Sequence, residues 1–130
     1  MGAGVQDGRM EGLTASTAER VLGPLADIPD GGSKGYGPAR GGFLGLFAVR
    51  RGDRVFVYVN SCPHIGVPLD FAPDRFLSTD GSHILCATHG ARFRIEDGEC
   101  FGGPCVGDVL EAVPARIVDG MIRVPADAGL

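Results

Sequence analysis

Cysteine and histidine occur together at two places in this chain of 130 residues. Cys62 and His64 are separated by one residue, and Cys86 and His89 are separated by two. These two pairs use two of the four cysteines and two of the three histidines. Chance would produce both pairs in roughly one sequence in a hundred of this composition, so the spacing indicates a metal site.

The residue types restrict the metal chemistry to two kinds of site. Cysteine thiolate is a soft ligand suited to iron–sulfur clusters and zinc, and neutral imidazole binds either metal. Two cysteines and two histidines can form a tetrahedral zinc site. They can equally bind a 2Fe–2S cluster, with both cysteines on one iron and both histidines on the other. The residue types alone leave both possibilities open.

Composition excludes several classes of protein. The net charge of -4 and the pI near 5.2 argue against a nucleic-acid partner. No run approaches the roughly 20 apolar residues of a membrane span, so we expect no membrane partner. The start of the chain lacks a basic region followed by an apolar stretch, so we expect no secretory signal and a cytoplasmic location. Because disulfides are rare in the cytoplasm, the four cysteines indicate metal or redox chemistry in preference to structural disulfides.

The elements that must position these ligands are predicted to be strands. Residues 43–50 and 54–59 are β-branched and aromatic runs joined by Arg51-Gly52-Asp53, which predicts a hairpin. Residues 84–87 and 91–95 are shorter strand candidates. No window of 11 residues has a helical stripe of apolar residues, so the pattern favours an all-β domain.

The two ends of the domain are less regular. Residues 112–118 and 121–124 form a predicted last hairpin through Asp119-Gly120, a sequence typical of type I′ turns. Pro114 restricts the first of these strands to a sheet edge or a bulge. We assign residues 1–20 to a mobile tail and residues 21–130 to one domain, with a short strand near 21–28 and a loop over 29–38. The ligand region, 60–106, is predicted to be mostly loop, which a bound metal centre would explain.

The ligand segments resemble a known family. Cys62-Pro63-His64-Ile65-Gly66 with Cys86-Ala87-Thr88-His89-Gly90 resembles the two cluster-binding loops of Rieske iron–sulfur proteins. Gly102-Gly103-Pro104 resembles the proline loop that covers the cluster, and the similarity spans about residues 25–125. The resemblance implies a small antiparallel β-sandwich or barrel with a loop-rich cluster-binding subdomain. It implies a Rieske 2Fe–2S cofactor, with Cys62 and Cys86 on the buried iron and His64 and His89 on the outer one.

The chain departs from the family pattern in ways that affect the cluster. Residues 65–85 separate the two ligand pairs, more than is usual in small Rieske ferredoxins, and we expect the insertion at about 70–80 to extend the surface near the cluster. High-potential members carry a disulfide where this chain has Val67 and Thr88. They also carry serine and tyrosine hydroxyls where this chain has Ala91 and Phe93. Because those donors are missing, we expect a potential in the low part of the roughly −150 to +300 mV Rieske range.

The remaining cysteines and histidine have weaker assignments. Cys100 and Cys105 are either two small, partly buried apolar side chains or a disulfide beside the cluster. His83 is expected at the surface just before a strand, without a ligand role. An exposed apolar rim of Ile65, Val67 and Pro68 would favour short-lived docking with an electron-transfer partner. The sequence does not fix the oligomeric state.

The resemblance implies an electron carrier and not an enzyme. The protein would be a ferredoxin-like component that takes one electron from a reductase, which we expect to contain flavin, and passes it to a terminal oxygenase or reductase. Related oxygenases add a mononuclear iron bound by two further histidines and a carboxylate, and only His83 remains here for such a site. Two alternatives stay open: a small non-catalytic subunit of a nitrite-reductase-like assembly, and a zinc-stapled interaction module.

Overall fold

The computed structural model describes residues 18–38, 42, 44–63, 68–70, 72, 74–86 and 90–129. These residues form ten strands in antiparallel sheets and one short 3₁₀ turn, so the all-β prediction is confirmed. None of their helical segments is long and apolar enough to cross a membrane. The strands are β1 (Glu19–Pro24), β2 (Ser33–Tyr36), β3 (Leu46–Arg51), β4 (Arg54–Val59), β5 (Ile84–Leu85), β6 (Arg92–Phe93), β7 (Cys100–Gly102), β8 (Ala112–Val113), β9 (Arg116–Val118) and β10 (Met121–Pro125).

A four-stranded central sheet of order β2-β3-β4-β8 organises the molecule. The β3–β4 hairpin pairs from Leu46 opposite Val59 to Arg51 opposite Arg54, and Gly52 supplies the positive φ of +64° that the tight turn needs. The predicted hairpin is therefore confirmed from Leu46 onward. Phe43, its predicted first residue, lies outside the described residues.

Both faces of the central sheet are covered. Successive side chains on a strand point to opposite faces. Along β3, Leu46 and Ala48 pack into one core cluster with Ile122, whereas Phe47 and Val49 pack into a second cluster. Because each face has its own core, the first four residues of β3, 46–49, are all apolar and do not alternate with polar ones.

One outer sheet, of order β1-β10-β9, closes the first core. Asp119 and Gly120 have φ values of +52° and +76°, as the predicted type I′ turn requires. Pro114 lies at the break where β8 leaves the central sheet and β9 joins the outer one. Glu19 already pairs with Pro125, so β1 begins inside the segment predicted as tail, while residues 1–17 lie outside the described part of the chain.

The other outer sheet, of order β5-β6-β7, covers the second core. It lies within the region predicted to be mostly loop, and its strands are only two or three residues long. Neither β7 nor β2 was predicted as a strand. Each contains a glycine and lacks β-branched residues, so local propensity gives no signal and pairing with a neighbouring strand determines the conformation.

The insertion between the ligand pairs does not simply extend the surface, which corrects the expectation for residues 70–80. Phe76 is fully buried and stacks on Phe47 with ring centroids 4.5 Å apart. The Gly35 amide donates a hydrogen bond to Asp74 Oδ1 at 2.8 Å. These contacts fix the insertion to the central sheet, although Phe71 and Pro73 lie outside the described residues.

Candidate metal centre

The two candidate cysteine ligands are both buried in one core. Cys62 and Cys86 have no exposed surface, and both belong to the apolar cluster between the central sheet and the β5–β7 sheet. His64 and His89 lie outside the described residues, so the structure provides no test of their positions. The two cysteines are thus in a common environment that excludes water, while the outer half of the ligand set remains a prediction.

The first loop is the predicted cluster-binding segment after β4, and one side chain joins the described residues on either side of it. Asn60 Oδ1 accepts a hydrogen bond from the Leu69 amide at 2.8 Å, and Asn60 Nδ2 donates to Asp70 Oδ1 at 3.1 Å. The Asn60 amide itself donates to the Gly45 carbonyl at 2.9 Å. Asn60 therefore joins both ends of the loop to the central sheet and places Cys62 just inside its entrance. No sequence signal had identified it.

The second loop is the predicted cluster-binding segment after β5, and backbone atoms close its described base. The Cys86 amide donates to the Ala91 carbonyl at 2.8 Å, and the Gly90 amide donates to the Cys86 carbonyl at 3.0 Å. Gly90 has a φ of +69°, which glycine adopts without steric cost. Cys86 is therefore fixed by its own main chain at the base of the loop.

The proline turn, residues 102–105, packs against the base of the second loop. A Cβ atom on Gly103 would lie 2.7 Å from Ala91 Cα and 3.3 Å from the Gly90 carbonyl oxygen. Gly103 also has a φ of +87°. Only glycine permits this close approach of two backbones, which packs the turn against the base of the second loop.

Cys100 and Cys105 lie together beside this turn. Both are 2% exposed, and the Cys105 thiol donates to Cys100 Sγ at a sulfur–sulfur distance of 2.8 Å. The structure has them as thiols. Burial raises the pKa of the Cys105 thiol to about 12, with smaller contributions from the hydrogen bond to Cys100 and from electrostatic interaction with Cys100, Cys62 and Asp108. Cys105 is thus a neighbour of a candidate ligand.

The other candidate residues have mixed outcomes. His83 directly precedes β5 and is half-buried, with Nδ1 3.0 Å from Ser82 Oγ and its ring edge against Phe101. Of the predicted apolar rim, Pro68 is exposed, and Ile65 and Val67 lie outside the described residues. The sequence reasoning missed three large apolar side chains that are exposed after the second loop: Phe101, Val106 and Val109.

The donor set fits a cluster that needs two thiolates in a dry site. Cys62 and Cys86 supply sulfur from a core that contains no buried polar or charged residue among those described. Among the same residues, no three histidine, cysteine, aspartate or glutamate side chains converge as a metal site. The two predicted histidines would have to complete the set from the loops.

Comparison with known proteins identifies the family. The profile of the Rieske [2Fe-2S] domain matches residues 22–115, which is most of the chain. This chain belongs to the Rieske [2Fe-2S] domain family. Its cofactor is accordingly a Rieske-type 2Fe–2S cluster. A search of curated proteins finds no match.

Solved structures show the same fold. The ferredoxin of carbazole 1,9a-dioxygenase from Nocardioides aromaticivorans IC177 aligns with a TM-score of 0.67 and 23% identity, over 83% of this chain and 97% of that one. A chain from the complex of reduced oxygenase and oxidized ferredoxin in carbazole 1,9a-dioxygenase aligns with a TM-score of 0.68 and 22% identity, over 86% and 96%. The terminal oxygenase from Novosphingobium sp. KA1 aligns with a TM-score of 0.68 and 19% identity, over 84% of this chain and 30% of the oxygenase.

Proposed function

We propose that this Rieske protein is an electron carrier, the ferredoxin-like component of an oxygenase system, and not itself an enzyme. The observation that carries the proposal is the burial of Cys62 and Cys86 at the bases of two neighbouring loops in a Rieske fold. The fold aligns with nearly all of a carbazole dioxygenase ferredoxin and with under a third of a terminal oxygenase, which favours the ferredoxin role.

The proposed ligand set is Cys62, His64, Cys86 and His89. When bound, the cluster supplies a site that accepts and releases one electron. Cys62 and Cys86 bind the inner iron as thiolates, and their burial shields the sulfur atoms from solvent oxidants. His64 and His89 bind the outer iron as neutral imidazoles, which removes negative charge from the ligand set and raises the potential relative to four cysteines.

The proposed partners are a reductase, which we expect to contain flavin, and a terminal oxygenase. Exposed apolar side chains beside a redox centre favour brief docking because they release water on contact without forming a large permanent interface. Phe101, Val106 and Val109 are 48%, 64% and 57% exposed, and they follow the second loop in the chain. They add to Pro68 as candidates for such a surface.

Spectroscopy of the anaerobically purified protein tests the cofactor and the ligands together. We expect a red-brown protein that, after dithionite, gives a rhombic EPR signal with an average g value below that of the free electron. Cys62→Ser and Cys86→Ser should lose the signal, whereas Cys100→Ser, which removes an equally buried cysteine outside the ligand set, should keep it. His64→Gln and His89→Gln should lose it, and His83→Gln is their matched control.

Two outcomes would contradict the proposal. A colourless, EPR-silent protein with one bound zinc would show that the protein is a zinc-binding interaction module and not an electron carrier. A coloured protein that cannot be oxidised by a Rieske terminal oxygenase in stopped-flow mixing, but copurifies with a nitrite-reductase-like complex, would favour the role of a non-catalytic subunit there.

A further inference from the structure

Cys100 and Cys105 form a pair that the proposed electron carrier does not use. Their sulfur atoms lie 2.8 Å apart, less than 1 Å longer than the roughly 2.05 Å of a disulfide bond. Both side chains are 2% exposed, so the approach takes place in the core and not between mobile surface groups. The Cys100 thiol donates a hydrogen bond to the Gly102 carbonyl oxygen at 3.1 Å, so it has a partner within the protein.

The main chain, and not a chance choice of rotamers, brings the two sulfurs together. The Cys100 amide donates to the Asp108 carbonyl at 2.9 Å, and the Asp108 amide donates to the Cys105 carbonyl at 2.8 Å. Gly103 and Gly107, with φ values of +87° and +100°, allow the chain to reverse between these bonds. The turn therefore fixes both cysteine backbones, and a bond between the sulfurs requires only a small side-chain movement.

The pair is adjacent to both proposed cluster loops. Its proline turn contacts Ala91 and Gly90 at the base of the second loop through Gly103. Cys105 also belongs to the same buried cluster as Cys62, in the first loop. A covalent change in the pair would therefore be transmitted to the surroundings of both inner ligands.

We propose that Cys100 and Cys105 are a second redox site, a reversible dithiol–disulfide couple distinct from the iron cluster. The oxidant class is a small-molecule disulfide such as oxidised glutathione. One cysteine sulfur attacks it, which forms a mixed disulfide and releases one thiol. The second cysteine sulfur displaces the other thiol. The net change is one new Cys100–Cys105 bond, one broken oxidant S–S bond, and two S–H bonds transferred to two small thiols.

The site has one requirement and one consequence. Because both sulfurs are buried, exchange requires a local opening of the proline turn, whose Pro104 and Val106 are exposed on either side of Cys105. Once formed, the disulfide covalently joins the turn to β7 and restricts the chain that contacts Ala91 and Gly90. Oxidation should therefore slow cluster loss without involving the cluster ligands.

Tryptic peptide mapping tests the proposal on the wild-type holoprotein. Trypsin places Cys62, Cys86 and the Cys100–Cys105 pair in three separate peptides, 55–75, 76–92 and 95–116. The protein is equilibrated for several days, anaerobically, in buffers of graded ratio of oxidised to reduced glutathione, from a dithiothreitol-reduced start and from a diamide-oxidised start. It is then quenched in acid, alkylated in denaturant with an iron chelator and digested with trypsin. The peptide masses are measured by mass spectrometry.

As the proportion of oxidised glutathione rises, peptide 95–116 should change from carrying two alkyl groups to carrying none. Its mass should then be two hydrogens lower than that of the unalkylated dithiol peptide. Both starting states should give the same curve, and peptides 55–75 and 76–92 should keep one alkyl group each. A peptide 95–116 that retains two alkyl groups at every ratio, from both starts, would overturn the proposal. So would accumulation of its singly glutathionylated form.

Two variants separate the pair from general thiol reactivity. Cys105→Ser and Cys100→Ser each leave one cysteine, which can form only an intermolecular disulfide. Neither variant should therefore yield peptide 95–116 with an internal disulfide. In wild type, the half-life of visible absorption in a chelator should be longer after oxidation, and this difference should vanish in both variants. An unchanged half-life in oxidised wild type would contradict the link to the cluster loops.

Discussion

The two loops that carry the proposed ligands are closed by different kinds of interaction. The first is closed by the side chain of Asn60, which bonds to Leu69 and Asp70 at its far end. The second is closed by the main chain of Cys86, Gly90 and Ala91. A side-chain closure depends on one residue, whereas a backbone closure persists through most substitutions. The second loop should therefore be disturbed only through its backbone neighbours.

Gly103→Ala should have the largest effect, because it acts on the second loop where that loop cannot adjust. The new Cβ would lie 2.7 Å from Ala91 Cα, and alanine is strained at a φ of +87°. Strain of about 1–3 kcal/mol and overpacking of similar size predict a loss of about 2–6 kcal/mol in the free energy of unfolding. Cluster content and anaerobic thermal melting are the measurements.

Gly107→Ala is the matched control for that substitution. Gly107 has a φ of +100°, but its Cβ would meet no atom within 4 Å. It should therefore show only the conformational strain, about 1–3 kcal/mol, and keep its cluster. Equal losses in the two variants would mean that the contact with Ala91 contributes nothing.

Asn60→Ala tests the side-chain closure of the first loop. It leaves the Leu69 amide without its acceptor, at a cost of about 1–3 kcal/mol, and frees the loop that contains Cys62. The expected result is faster loss of visible absorption in a chelator. Asp70→Ala removes only the second bond, between side chains, and should cost less. If Asp70→Ala equals Asn60→Ala, the closure depends on the side-chain pair and not on the Leu69 amide.

The sequence predicted these loops unequally. The spacing of each cysteine from its histidine predicted the two ligand segments, and Asp119-Gly120 predicted the last hairpin, because these signals are local. Asn60 could not be identified, because its partners Leu69 and Asp70 become neighbours only when the loop folds back. Phe76 was assigned to a surface insertion for the same reason, since its stacking partner Phe47 is far away in sequence. Pairing across distant segments is what local patterns do not contain.

Phe93→Tyr asks whether the second loop lacks a donor to its cysteine. Phe93 is fully buried on β6, and the family resemblance predicts that a tyrosine hydroxyl here would donate to ligand sulfur. A hydrogen bond to a charged group contributes about 1.5 kcal/mol, which is about 65 mV for one electron. Since the bond favours the more negative reduced state, the midpoint potential should rise by about that amount in a redox titration.

Phe56→Tyr is the control for the potential. Phe56 is half-buried on β4, so it adds a hydroxyl to the same core boundary without following the second loop. Its midpoint should match that of wild type, which we expect in the low part of the Rieske range. A strongly positive wild-type midpoint would show that missing donors do not set the potential. An equal rise in the midpoint of both tyrosine variants would show that the effect does not depend on where the hydroxyl is placed.

Tyr58→Phe examines a side chain that joins the central sheet to the segment after β6. Tyr58 is two residues before Asn60 on β4, and its hydroxyl donates to the Ile95 carbonyl beyond β6 at 2.6 Å. Its loss should cost about 1 kcal/mol in the free energy of unfolding at neutral pH. Tyr36→Phe is the control, because among the described residues the Tyr36 hydroxyl has no hydrogen-bond partner. That variant should be neutral.

The two tyrosines share a raised phenol pKa, although only Tyr58 has a hydrogen-bond partner among the described residues. Alkaline unfolding can therefore distinguish the effect of burial from that of hydrogen bonding. Burial raises the pKa of each phenol to about 12, above the ordinary value of about 10 expected in the unfolded chain. The unfolded chain therefore loses these protons first, and stability should fall between pH 10 and pH 12. Each Phe variant should reduce that fall in urea unfolding titrations. If only Tyr58→Phe reduces it, the hydrogen bond and not burial controls the ionisation, and the contact between β4 and the segment after β6 would itself be sensitive to pH.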